Sequence, residues 1–139
     1  MNYTITDTPI RQNHVSPLLC SDLKYAGFKA PTEFFWKVYD HNVILGSFLF
    51  DTDDYYRNGN KRVDEVNLLR EKLPAWTIKE IEMHLPAFTV SKNNGYYLSL
   101  TGIPVPEVLA IRLPDAFALM MLSCIRKSIV NINHLNTTR

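Results

Sequence analysis

Apolar and polar positions recur along this chain with two different periods, and the changes of period divide it into elements. Ser16-Pro17 sets an N-cap residue before a proline at the first helical position, Leu19, Leu23 and Ala26 follow at helical spacing, and Gly27 supplies a stop. A helix is expected from Pro17 to Ala26. The period then falls to two. Glu33 to Tyr39 and Val43 to Phe50 read as the strands of a hairpin closed by Asp40-His41-Asn42, with Asn42 taking the left-handed place in a three-residue loop. That loop sets Val38 opposite Ile44, Trp36 opposite Gly46 and Phe34 opposite Phe48. Phe34, Trp36, Val38, Ile44 and Phe48 then share one apolar face, with Gly46 leaving room for the indole.

Asp51 to Arg62 is the most polar stretch and reads as a loop. Val63, Val66, Leu69 and Leu73 return to helical spacing, with Asp64 and Glu65 early and Lys72 late, as a helix dipole prefers; Pro74 ends this helix. Thr77-Ile78-Lys79-Glu80 has the form of a capping box, and Trp76 and Ile81 occupy the staple positions, so a short helix closes near Leu85. Ala87 to Lys92 and Tyr96 to Thr101 flank Asn93-Asn94-Gly95, which suits a type I turn with a glycine bulge. Phe88 then pairs with Leu100 and Val90 with Leu98. Val108 to Leu113 is compatible with a short fifth strand. Pro114-Asp115 opens a last helix running to about Val130, apolar around nearly its whole circumference over Ala116 to Ile125. Such a helix lies at the centre of a core or is partly buried in another chain. The expected class is α+β: an antiparallel sheet of two hairpins, with the fifth strand an option and helices packed on one face.

With 139 residues the chain fits one domain, in which residues 1–13 form an extended arm and residues 131–139 a fraying tail. A net charge of +1 removes any bulk attraction to nucleic acid or to an anionic membrane. The longest apolar run, Ala116 to Leu122, is far short of the roughly 20 residues of a membrane span. Met1 to Thr8 lacks the layout of a signal peptide, so a cytoplasmic protein is expected. Cys20 and Cys124 each lie inside an apolar helical pattern and read as buried free thiols rather than a disulfide framework.

Candidate chemistry is sparse. Asp51, Asp53 and Asp54, directly after a strand, could hold a divalent metal in a small hydrolase, although an EF-hand is excluded by its missing glycine and glutamate. Tyr55, Tyr56, Arg57, Lys61 and Arg62 could stack bases and neutralise phosphates of a single strand, but the three aspartates before them repel the same backbone. His14, His41, His84 and His134 have no paired metal spacing, and no serine stands in a nucleophile elbow. No phosphate-binding glycine loop is present, and no cofactor is expected. Phe35, Leu45 and Leu49 project opposite to the first hairpin's main apolar face, more apolar surface than a small domain readily hides. They are the expected protein interface, for self-association or a protein partner.

Leu73-Pro74-Ala75-Trp76-Thr77 with its following short helix, the Gly95-Tyr96-Tyr97-Leu98 strand and the Pro114-Asp115-Ala116 helix start together resemble a loose group of short proteins encoded by bacterial phages and integrated mobile elements. The resemblance covers roughly residues 73–130. It implies an accessory or partner-binding role and carries over no reaction, cofactor or catalytic residue.

Overall fold

A computed structural model describes residues 13–47 and 68–129. Helix α1 (Pro17–Tyr25) is followed by strands β1 (Phe34–Tyr39), β2 (Val43–Ser47) and β3 (Leu69–Pro74). Then come the short helix α2 (Ile78–Glu82), strands β4 (Phe88–Lys92), β5 (Tyr96–Leu100) and β6 (Val108–Ala110), and helix α3 (Leu113–Arg126). The α+β class therefore holds. The described strands form two three-stranded antiparallel sheets, ordered β2-β1-β3 and β4-β5-β6. The fifth-strand option is realised as β6.

Helix α3 is the hub. Pro114, Ala116, Phe117, Ala118, Met120, Met121, Leu122, Cys124 and Ile125 are all buried, and the helix packs against α1, α2, β5 and β6. Its all-round apolar surface is accounted for by a central place in the core. The aromatic edge contact of Phe88 with Phe117, centroids 5.1 Å apart, ties the second sheet to it.

Two sequence expectations need correction. Leu69 to Leu73 is a strand, not the end of a helix: β3 pairs antiparallel with β1, and its exposure alternates, Arg70 and Lys72 outward, Leu73 buried. The apolar spacing fits either period over so few residues, and the ladder to a central strand decides between them. A bulge between Val38 and Tyr39 leaves Arg70 as the extra residue, and its guanidinium bonds Asp40.

The first hairpin is also one residue out of the expected register. Val38 pairs with Val43, Trp36 with Leu45, Phe35 with Gly46 and Phe34 with Ser47, because the Tyr39 amide donates to the Asn42 carbonyl and shortens the loop to Asp40-His41. The core face is thus Phe34, Trp36, Val38, Val43 and Leu45. Gly46 accommodates Phe35 rather than the indole: a Cβ there would stand 3.0 Å from the Phe35 ring and 3.2 Å from Lys37. The second hairpin keeps the expected register throughout, although its left-handed residue is Asn94 (φ 55°), with Gly95 at φ 150°.

Asn13 to Val15, just before α1, are built into the fold. The Val15 amide donates to the Trp76 carbonyl at 2.9 Å, and the Ile78 amide to the Asn13 carbonyl at 3.1 Å. Both indoles are fully buried and donate to main chain, Trp36 to the Val15 carbonyl at 2.8 Å and Trp76 to the Ala30 carbonyl at 2.7 Å. The capping box at Thr77 and Glu80 forms as expected.

Candidate interaction surface

The second sheet ends on one side in an exposed strand. Leu98 and Leu100 of central β5 are buried against the core, whereas β4 is exposed from Thr89 to Lys92. Its hydrogen-bond phase follows from its two ends. The Thr101 amide donates to the Ala87 carbonyl at 2.8 Å and the Asn93 amide to the Gly95 carbonyl at 2.9 Å, so odd-numbered residues of β4 face β5. Alternation then turns the N–H and C=O groups of Phe88, Val90 and Lys92 outward, away from the sheet. Val90 points its side chain to the core side yet remains 40% exposed. Beside the start of this edge lies an open groove of about 550 Å³ lined by Lys79, Glu82, Met83, Leu85, Pro86, Ala87 and Phe88. Met83, 57% exposed, offers it a flexible apolar wall.

Among the described residues, the polar constellation around Asp115 is structural in character. Asp115 in the first turn of α3 accepts, on one oxygen, the Ser16 amide and hydroxyl at 2.8 Å each and the Arg112 guanidinium at 3.2 Å. Arg112 also donates to the His14 carbonyl at 2.8 Å. Two helix N-termini thereby share one carboxylate, the charge their dipoles favour. Every one of these groups is satisfied within the chain.

The thiols are inert. Burial pushes the Cys20 thiol up to about 12, and burial also raises Cys124; both are free and buried. At the surface, the hydrogen bond from Arg70 holds the Asp40 carboxyl below its ordinary value. On the face of the first sheet opposite Trp36, the fully buried Lys37 and the exposed Lys72 are direct cross-strand neighbours, and their ammonium groups approach the Phe35 ring at 5.9 and 4.9 Å. Among the described residues no three His, Cys, Asp or Glu side chains gather at a metal-binding distance.

Asp51, Asp53, Asp54, Tyr55, Tyr56, Arg57, Lys61, Arg62 and Leu49 lie outside the described residues, as do Val63, Val66 and the terminal stretches 1–12 and 130–139. Phe35 and Leu45, expected together on a spare apolar face, sit on opposite faces of the first sheet because of the register, and both are buried, at 7% and 9% exposure. Missing from the sequence reading was the open edge of β4. The strand and its pairing to β5 were legible there. That no further strand among the described residues lies beyond it depends on where β1–β3 assemble, which local pattern does not encode. The chain matches no known protein family, no curated protein and no solved structure. No helix among the described residues is long and apolar enough to cross a membrane.

Proposed function

We propose that this chain is a non-enzymatic accessory protein of the cytoplasm, and that it binds protein by accepting an extended segment along the edge of β4. The observation that carries the reading is the outward-facing backbone of Phe88, Val90 and Lys92 beside the Met83 groove. Backbone hydrogen bonds along such an edge supply affinity, and an adjoining apolar recess selects side chains. The accessory role is also what the resemblance over residues 73–130 implies. The hydrolase and single-strand alternatives rest on Asp51 to Arg62, to which the described residues add nothing.

A photo-crosslinking residue placed at position 90 of the full chain, in its host cell, tests this reading. A discrete crosslinked polypeptide at position 90, absent when the same residue replaces Leu109 on the opposite edge, is expected. No adduct at position 90 overturns it.

A further inference from the structure

Edge strands left open invite pairing, and most carry a device against it. In the first sheet, β3 has the bulge opposite Val38/Tyr39, the outward charges Arg70 and Lys72, and Pro74 at its end. In the second, β6 is three residues long and follows Pro104 and Pro106. Strand β4 has none of these: five residues in uniform register, without proline or bulge, charged only at Lys92.

We propose that β4 pairs antiparallel with β4 of a second copy about a twofold axis through Val90, joining two sheets into one of six strands ordered β6-β5-β4-β4-β5-β6. This deepens the interaction reading above and rests on it. The strand is self-complementary in that register. Phe88 faces the partner's Lys92, Thr89 faces the partner's Ser91, and Val90 faces the partner's Val90. Each pairing is favourable in kind: cation over aromatic, hydroxyl to hydroxyl, apolar to apolar. The outward amides and carbonyls of Phe88, Val90 and Lys92 fall opposite those of the partner, so each pair exchanges both bonds. The partner's Lys92 also arrives beside the groove that Phe88 shares with Glu82, with Lys79 on the same wall. Neighbouring registers lose these features. An axis through Thr89 sets Lys92 against Pro86, which has no N–H, and an axis through Ser91 sets Phe88 against Asn94 in the turn. A dimer through Val90 is isologous and closed, so pairing stops at two.

Sedimentation of the full chain should give twice the chain mass of 16.1 kDa. Val90→Pro removes an outward amide but no bond to β5, so it should yield a monomer with the parent's circular dichroism. A hydrogen-bonded antiparallel pair holds its Cα atoms about 5.5 Å apart, within disulfide range. Val90→Cys should therefore oxidise to a covalent dimer while Leu109→Cys does not, and the native thiols, both buried, do not compete. This measurement stands even if Val90→Pro fails to fold. A parent that sediments at 16.1 kDa up to roughly 100 μM, well above the micromolar range of specific pairing, overturns the proposal, as does a dimer that Val90→Cys cannot crosslink. A position-90 photo-adduct with a different polypeptide also overturns self-pairing but leaves the interaction reading standing; no adduct at all removes both.

Discussion

Asp115 holds together two segments that are far apart in the chain, since it receives both donors of Ser16 as well as Arg112. Truncating it leaves the Ser16 amide and the guanidinium short of a partner in a half-buried place. Asp115→Ala should lower the unfolding free energy by about 2–3 kcal/mol in a urea titration, and Ser16→Ala, which spares the amide bond, by about 1 kcal/mol. Cys20 gives a second residue-scale test. Its thiol stays protonated in the folded chain up to about pH 12, whereas in the unfolded chain it ionises near its ordinary value of 9.0. Above that value the unfolded state binds fewer protons, so stability is complete below pH 9 and falls as pH rises toward 12. Unfolding followed across this window should show the decline, with a shallower slope in Cys20→Ala.

At the scale of elements, local chemistry and long-range pairing diverge at identifiable places. Helix α1, the capping box, α3 and the β4–β5 register were all legible, because caps, prolines and an Asn-Asn-Gly turn act within a few residues of where they stand. The β3 strand was not, since Leu69-Arg70-Glu71-Lys72-Leu73 has helix-forming composition and becomes a strand only by bonding β1. The slip in the first hairpin has a similar origin: Asn42 suited a three-residue loop, but burying Val43 and Leu45 with Trp36 required a two-residue one. The open edge of β4 was illegible for the same reason. Gly46 tests the observed register. Gly46→Val should destabilise by about 1–3 kcal/mol through overpacking against Phe35, and Phe35→Leu in the same chain should recover part of that loss. In the register expected from sequence, Trp36 would be the rescuing position instead.

Across the described residues, α1, α2, β5 and β6 pack on α3, and α1 in turn packs on β3 of the first sheet. If β4 pairs with its copy, the melting temperature of the parent should rise with protein concentration in calorimetry, while that of Val90→Pro should not. The Ser16–Asp115 clamp has a different consequence, in the order of assembly. These residues are 99 positions apart, and the Val15–Trp76 bond joins residues 61 positions apart. As the chain leaves the ribosome, α1 emerges long before α3 exists to cover it. Its buried side, with Cys20 and Leu23, must wait on the last helix to be synthesised, and for that interval the nascent chain is a client for whatever shields exposed hydrophobic surface in the cell.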